Sequence, residues 1–129
     1  MKVAGIGVDI VETVRIEMSL EKFGNRFLSR VFTELEIVYC QSMKYPARHF
    51  AARFAAKEAV SKAFGTGIGK SMGWKDIEIR RKSSGEPFAV LHDGAKKMAD
   101  RIQLAEALIS LSHSDHYAVA NAVLCIGED

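Results

Sequence analysis

Two carboxylates, far apart in the sequence, stand where they could hold a metal ion. Asp9 lies on an N-terminal strand, on the face that Gly5 and Gly7 leave without side chains. Glu58 lies on a long helix, four residues before Lys62. Two oxygen donors with open positions suit Mg²⁺, which takes one or two protein carboxylates and completes its octahedron with water and substrate phosphates. We therefore predict that Asp9 and Glu58 form a magnesium site.

Each of these residues also has an ordinary structural explanation. Glu58 and Lys62 have the spacing of an exposed helical ion pair, which is worth ~0.3 to 0.5 kcal/mol. Asp9 could simply accept hydrogen bonds from backbone N–H groups near the strand end. The helix argues against an exposed pair, because its phenylalanines and alanines fall on opposite faces and both faces are expected to be buried. These residues are Phe50, Phe54 and Phe64 on one side and Ala52, Ala56, Ala59 and Ala63 on the other.

The segment 112–116, with the sequence SHSDH, contains further groups that could do chemistry. Its residue types are those of a hydrolase triad, but sequence neighbours do not have triad geometry, and no G-x-S-x-G motif is present. His113 and His116 could hold zinc, although no other Cys or His lies nearby in the sequence. A structural histidine at a strand end is equally open. We favour Ser112 and His113 as donors of hydrogen bonds to a phosphate.

The elements that position these residues follow from hydrophobic periodicity, glycines and caps. The predicted strands are Val3–Val11, Ile77–Arg81, Phe88–Leu91, Leu108–His113 and Tyr117–Ile126. The predicted helices are Val14–Phe23, one that begins at a Thr33 to Glu36 capping box and ends before Pro46, Ala47–Phe64, and Gly94–Ala107 capped by Asp93. A glycine-rich loop, 65–73, follows the long helix. This order predicts one α+β domain over residues 1–129, with helices packed on a mainly antiparallel sheet.

Composition argues against several classes of protein. The 129 residues carry 18 Lys and Arg against 16 Asp and Glu, a net charge of only +2, so a nucleic-acid-binding domain is not expected. Cys40 and Cys125 lack the spacing of a disulfide framework and are expected to be buried thiols of a reducing compartment. The start of the sequence does not resemble a secretory signal, and no apolar stretch is long enough to cross a membrane. We therefore expect a cytoplasmic protein with no membrane partner.

Taken together, the motifs resemble those of the phosphopantetheinyl transferases, and within that family the short holo-(acyl-carrier-protein) synthases. The combination of V-D with K-E-x-x-x-K in this order is highly specific, and the resemblance covers nearly the whole chain. The matching segments are GIGVDIVE at 5–12, RFAAKEAVSKA at 53–63, GTGIG at 65–69, WKDIEI at 74–79, and SLSHS at 110–114 ahead of YAVA at 117–120. One position departs from the pattern, since Glu86 in the turn 85–87 stands where the family often has Lys or Arg.

The resemblance implies an activity, an assembly and the fold of that family. The activity is transfer of 4′-phosphopantetheine from coenzyme A to a serine hydroxyl of apo acyl carrier protein, for fatty acid biosynthesis, with release of adenosine 3′,5′-bisphosphate. The assembly is a homotrimer with active sites between protomers. An alternative from a different class is a non-catalytic α+β oligomer that binds an acidic partner through Arg15, Lys22 and Arg26 and needs no metal.

The resemblance also implies roles for individual residues. Asp9 and Glu58 would hold Mg²⁺ on the pyrophosphate of coenzyme A, and Lys62 would reach a phosphate. Glu58, directly or through a metal-bound water, would accept the serine proton. The residues implied to bind phosphates of coenzyme A or nearby groups are Arg53, Ser112 and His113. The residues implied to form a basic and apolar surface for the acidic carrier protein are Arg15, Met18, Lys22 and Arg26.

Overall fold

The computed structural model describes residues 1–127, which form five strands and five helices. The strands are β1 (Lys2–Glu12), β2 (Ile77–Arg81), β3 (Pro87–Leu91), β4 (Leu104–His113) and β5 (Tyr117–Ile126). The helices are α1 (Thr13–Phe23), α2 (Asn25–Val31), α3 (Glu34–Gln41), α4 (Pro46–Ala63) and α5 (Asp93–Arg101), with a short 3₁₀ turn at Trp74–Asp76. The predicted α+β class is confirmed. Over the described range, no helix combines the length and the apolar character needed to span a membrane.

All strand pairs are antiparallel, and the strands form two sheets. β5 lies between β1 and β4 in a three-stranded sheet, while β2 and β3 form a separate hairpin. In the larger sheet Asp9 is paired with Ala120, which is also paired with Leu111 on β4. Directly paired residues share a face of a sheet, and neighbours along a strand alternate between faces. Asp9 and Leu111 therefore face one side, and Ile10 faces the other.

Helix α4 packs across the face of the larger sheet that carries the glycines of β1. A Cβ atom at Gly5 would overlap the carbonyl oxygen of Ala63, and one at Gly7 would overlap that of Ala59. Glycine at these two positions therefore lets the backbones of strand and helix approach closely. Ala59 has 0% and Ala63 7% exposure, so the alanine face of the helix is buried as predicted. This close approach brings Asp9 beside the C-terminal half of α4.

Another side of α4 is buried around an ion pair. Lys57 Nζ lies 2.8 Å from Oε1 of Glu36, and both side chains have 0% exposure. The ammonium also donates to the carbonyl oxygens of Trp74, at 3.1 Å, and Ile77, at 2.6 Å, so each of its three hydrogens has an acceptor. Glu36 in turn accepts a hydrogen bond from the backbone N–H of Ile79. The pair therefore fixes α4 against α3 and β2.

The boundary between α5 and β4 differs from the prediction. The helix predicted over Gly94–Ala107 ends at Arg101, and β4 begins at Leu104 instead of Leu108. Gln103 has a positive φ of 56°, which breaks the helical backbone. The next residues pair with the end of β5. Residues 104–107 have good helix formers, so tertiary pairing overrides their local preference.

The residues that cap the starts of α3 and α5 were also predicted. Thr33 and Glu36 form the predicted capping box at the start of α3. Asp93 was predicted to cap α5, but His92 occupies the N-cap position without a side-chain cap hydrogen bond, and Asp93 is the first helical residue. Helix α2 was not predicted, because its seven residues are too short for a clear 3.6-residue period.

Candidate functional site

Asp9 and Glu58 meet in an open groove formed by the end of β1, α1 and α4. The groove has a volume of about 700 Å³. Apolar walls are supplied by Phe27 and Phe54, and Arg15 from α1 also lines it. The side chain of Asp9 is 16% exposed, and Glu58 is half-buried. The glycine face of β1 and the packing of α4 thus bring the two predicted carboxylates to one concave site.

Lys62 connects α4 to β1 through Asp9. Its Nζ donates hydrogen bonds to Oδ1 of Asp9, at 2.8 Å, and to the carbonyl oxygen of Val8, at 3.2 Å. The hydrogen bond to Asp9 raises the pKa of the Lys62 ammonium, which therefore keeps its positive charge. An exposed ion pair between Lys62 and Glu58 was the alternative that the sequence left open. In the structure, Lys62 forms its ion pair with Asp9.

The carboxyl of Glu58 is held in an environment that disfavours its negative charge. Burial raises its pKa above the usual range, and the charge of Asp9 raises it further. Lys62 lowers the pKa and offsets part of this effect. Repulsion between two nearby carboxylates is relieved when a cation binds to both.

The donor set at the groove fits magnesium. Asp9 and Glu58 supply oxygen ligands only, and the open groove leaves space for water and phosphate oxygens, which Mg²⁺ prefers over an all-protein cage. Of residues 1–127, no group of three or more His, Cys, Asp and Glu side chains is arranged to hold a metal ion. In the described part of the chain, the predicted metal site therefore contains Asp9 and Glu58, and no third His, Cys, Asp or Glu side chain joins them.

A basic and apolar surface adjoins the groove. The predicted partner-binding residues on it are Arg15, Met18, Lys22 and Arg26. The side chain of Arg15 is 78% exposed, Met18 is 62% exposed, and Lys22 and Arg26 are exposed. Arg26 lines a second cavity of about 240 Å³, which shares Ser19 and Phe27 with the main groove. Arg15 lines the main groove and Arg26 the adjoining cavity, and the exposed Met18 and Lys22 lie between them in the sequence, on α1.

Arg53 and His113 do not line this groove and instead lie among other basic and aromatic groups. The His113 ring contacts the His49 ring, with 4.8 Å between their centroids. The guanidinium of Arg53 lies over the Tyr39 ring at 4.2 Å, and that of Arg81 approaches the same ring at 5.7 Å. Arg53 is only 2% exposed, and its Nε has no hydrogen-bond partner in the described part of the chain. A buried donor without a partner among several cations indicates a place for an anion.

Arg48 completes this group from the first turns of α4. Its guanidinium lies 3.2 Å from the exposed carboxylate of Asp115, in the turn after β4. Its charge lowers the pKa of His113, although burial lowers it more. We name this group the cationic cluster. Its residues are Tyr39, Arg48, His49, Arg53, Arg81 and His113.

Ser112 and His113 point to opposite faces of the larger sheet. His113 is paired with Ala118, whose side chain is buried on the face that α4 covers. Ser112 is paired with Val119, which is also paired with Ile10 on the open face. Within one chain, the two side chains therefore face opposite sides of the sheet, and their joint contact with one phosphate stays a prediction.

Sequence analysis missed four residues of the cationic cluster. His49 precedes Arg53 on α4 by four residues, so a search for polar residues on the same helical face could have found it, whereas Arg48 precedes Arg53 by five and lies on a different face. Tyr39 and Arg81 come from α3 and β2, far away in the sequence, and no spacing indicates that they meet Arg53. Tertiary packing alone assembles this part of the cluster.

Glu86, the acid that departs from the family pattern, has a basic neighbour. Its Oε1 lies 3.8 Å from Nζ of Lys82, and it accepts a hydrogen bond from Oγ of Ser84 at 3.3 Å. The turn after β2 therefore carries both charges on an exposed surface.

Comparison with known proteins places the chain in a family. The model of the 4′-phosphopantetheinyl transferase superfamily matches residues 5–122. The holo-(acyl-carrier-protein) synthase of Koribacter versatilis is 46% identical over 122 residues, which cover 95% of this chain and 98% of that protein.

Two solved structures are closely similar in fold. The crystal structure of holo-(acyl-carrier-protein) synthase from Neisseria meningitidis matches with a TM-score of 0.87 and 32% identity, over 95% of this chain and 98% of that one. The enzyme of Helicobacter pylori in complex with coenzyme A matches with a TM-score of 0.83 and 35% identity, over 93% of this chain and 99% of that one. A sequence match of this extent, together with the shared fold, favours an enzyme over a non-catalytic oligomer. The chain belongs to the 4′-phosphopantetheinyl transferase superfamily.

Proposed function

We propose that this chain is a holo-(acyl-carrier-protein) synthase that transfers 4′-phosphopantetheine from coenzyme A to a serine of apo acyl carrier protein, for fatty acid biosynthesis. The serine oxygen forms a bond to the phosphorus that carries pantetheine, and the pyrophosphate bond breaks to release adenosine 3′,5′-bisphosphate. The observation that carries the proposal is the groove that Asp9 and Glu58 both line, with Lys62 bound to Asp9. The relatives of this chain, one of them solved with coenzyme A, support the same reaction.

Asp9 and Glu58 are the residues that would hold Mg²⁺ in this groove. When bound there, the ion would supply positive charge that offsets the charge of the pyrophosphate and of the leaving group. Its affinity should depend on both carboxylates, because each supplies an oxygen ligand and a negative charge.

Glu58 is the residue proposed to accept the serine proton. Burial and the neighbouring Asp9 raise its pKa, and a carboxylate with a raised pKa is a stronger proton acceptor. Lys62 keeps its charge through the hydrogen bond to Asp9 and can donate to a phosphate oxygen from its exposed side.

The cationic cluster is proposed to bind a phosphate of coenzyme A. Arg53 and His113 were predicted for this role, and His49, Arg48 and Arg81 add positive or titratable groups around them. Arg and His side chains are the donors that recognise phosphate oxygens most directly. Ser112, on the other face of the sheet, is proposed to act at a boundary with another protomer.

A homotrimer with shared sites is proposed because the larger sheet has an exposed apolar face. Ile6 is 72%, Val8 56% and Ile10 66% exposed on the side of β1 that faces away from α4. A contiguous apolar surface on a small domain commonly marks a protein interface. A closed ring through this face is a head-to-tail assembly, in which one site can combine residues from two protomers.

The acidic carrier protein is proposed to dock on α1 and the start of α2. Arg15 and Arg26 supply positive charge there, and Met18 supplies exposed apolar surface. The reaction is proposed to occur in the cytoplasm. Cys40 and Cys125 are free thiols, in keeping with a reducing compartment.

The direct test is a mass measurement on the carrier protein. The chain is mixed with coenzyme A, MgCl₂ and an apo acyl carrier protein, and the carrier is weighed by mass spectrometry. We expect a mass increase of one 4′-phosphopantetheinyl group, and no increase when the carrier serine is replaced by alanine. An unmodified wild-type carrier after prolonged incubation would contradict the proposed function.

A further inference from the structure

Two imidazole rings meet inside the cationic cluster. The rings of His49 and His113 are 4.8 Å apart and inclined by 65°. The His49 ring also contacts the Tyr39 ring edge-to-face, at 6.0 Å. His49 comes from α4 and His113 from the end of β4, so the contact joins the helix to the edge of the sheet.

Charged groups face this pair from each packed element. Arg48 and Arg53 come from α4 and Arg81 from the end of β2. Among residues 1–127, the carboxylate that an ion pair places at the cluster is that of Asp115, which contacts Arg48 from an exposed position. The two rings therefore lie in a mainly positive environment.

This environment disfavours protonation of the two rings. Burial lowers the pKa of both histidines below the usual value of 6.5. For His49, the next contributions come from His113 and Arg53, and for His113 they come from Arg48 and Arg53. The positive neighbours that oppose protonation are also the groups that attract an anion.

We propose that His49 and His113 form a proton-linked phosphate-binding pair, in which binding of a phosphate group of coenzyme A at the cationic cluster is coupled to uptake of a proton from solvent by the two rings. The inference rests on the proposed function, because the phosphate group considered is one of coenzyme A. It assigns a binding role to His49, which the sequence motifs did not indicate. The proton adds a cation and an N–H donor where the phosphate oxygens need them.

The sign of the coupling follows from linkage. A bound phosphate stabilises the imidazolium form, so the bound complex holds more protons than the free protein at pH values above the free pKa. The affinity for coenzyme A then rises as the pH falls through this window. For one proton taken up, the dissociation constant changes by up to about tenfold per pH unit.

Isothermal titration calorimetry of coenzyme A into the intact protein measures this coupling. Titrations at pH 7.0 in buffers of different ionisation enthalpy give the number of protons exchanged per coenzyme A bound. The phosphate itself has a second pKa of about 6 and also exchanges protons, so the informative quantity is the difference between wild type and variant. Phenylalanine keeps an aromatic ring at each position and cannot take up a proton, so the variants are His49→Phe, His113→Phe and the double variant.

We expect the wild type to take up more protons than the double variant, by up to about one per site, with His49→Phe in between. The control is His92→Gln, which removes a histidine outside the cluster but keeps a hydrogen-bond donor to Glu78. It should retain the full wild-type proton exchange.

Two results would overturn the inference while leaving the proposed function intact. One is the same proton exchange in wild type and in a folded double variant that still binds coenzyme A. The other concerns the dissociation constant of coenzyme A between pH 6.5 and 7.5. The inference fails if this constant changes no more in the wild type than in the double variant. If the wild type does not bind coenzyme A at all, the proposed function fails and the inference fails with it.

Discussion

The ammonium of Lys62 lies 2.8 Å from Oδ1 of Asp9, so the lysine of the K-E-x-x-x-K motif pairs with the strand carboxylate. This contact ties the end of β1 to the last turns of α4. It holds Asp9 in place and leaves the Glu58 carboxylate to face the groove. Burial and the nearby charge of Asp9 raise the pKa of Glu58.

Replacing either carboxylate should remove most of the magnesium-supported transfer. Asp9→Ala deletes one oxygen ligand, and Glu58→Gln removes the charge and the proton acceptor, so we expect kcat to fall at least about 100-fold in each. The measurement is the rate of carrier modification across a range of Mg²⁺ concentrations. Glu106→Gln, an exposed carboxylate on β4, is the matched control and should keep the wild-type rate. Near-normal rates for Asp9→Ala or Glu58→Gln at limiting Mg²⁺ would contradict the site.

Reversing a charge on α1 should affect the carrier protein more than coenzyme A. Arg15 is exposed beside the groove, and opposite charges accelerate encounter with an acidic partner. We expect Arg15→Glu to raise the KM for the carrier roughly tenfold and to change the KM for coenzyme A less than about twofold. Lys97→Glu makes the same charge change at an exposed position of α5 and should change neither KM. Equal effects of Arg15→Glu on both KM values would argue against docking there.

The site around β1 could be predicted because its geometry is local to two periodic elements. The alternation of β1 put Asp9 on the glycine face, and the two-sided burial of the long helix indicated that it packs in the core. The packing of α4 on the glycine face of β1 brings Asp9 and Glu58 to the same groove. The fold class followed in the same way from the order of strands and helices.

The cationic cluster could not be predicted, because its residues come from four elements whose contacts depend on long-range packing. Tyr39 and Arg81 are 42 positions apart by number, and no periodic pattern joins them. The predicted boundary between Ala107 and Leu108 was wrong for a related reason, since pairing with β5 makes residues 104–107 part of β4 and the helix breaks near Gln103. The helix and strand propensities of individual residues predict neither effect, because both depend on contacts between residues far apart in the sequence.

Breaking the buried Lys57–Glu36 pair should be costly to stability. Lys57→Met leaves the Glu36 carboxylate buried without its ammonium partner, and we expect the free energy of unfolding to fall by about 3 to 5 kcal/mol. Adding Glu36→Gln removes the uncompensated charge and should recover part of this loss, although the carbonyls of Trp74 and Ile77 stay without their donor. Urea unfolding monitored by circular dichroism provides the values. A single variant within about 0.5 kcal/mol of wild type would show that the pair is energetically unimportant.

Adding a methyl group at Gly7 should separate β1 from α4. The Cβ would overlap the carbonyl oxygen of Ala59, and overpacking of this kind typically costs about 1 to 3 kcal/mol. We expect Gly7→Ala to lower the thermal midpoint and to weaken magnesium-supported transfer, because Asp9 moves with the strand. Gly69→Ala is the control, since its added Cβ would have no atom within 4 Å. Equal thermal midpoints for Gly7→Ala and wild type would rule out this close packing.

We propose that one active site combines the Asp9 groove of one protomer with the cationic cluster of another. Within a chain, Asp9 and His113 face the same side of the larger sheet but lie on its two edge strands, with β5 between them. Two strand spacings already separate them by roughly 10 Å. We expect Asp9→Ala and His113→Ala each to be severely impaired as homogeneous assemblies.

The most direct measurement is the activity of mixed assemblies of these two inactive variants. The variants are unfolded together, refolded, and their mixed composition is confirmed by native mass spectrometry. If sites are shared around a ring, random assembly unites an intact Asp9 side with an intact His113 side at about a quarter of the interfaces, so we expect transfer activity to reappear. Confirmed mixed assemblies that stay as inactive as their parents would contradict shared sites, because every site within a single chain would still carry one of the two lesions.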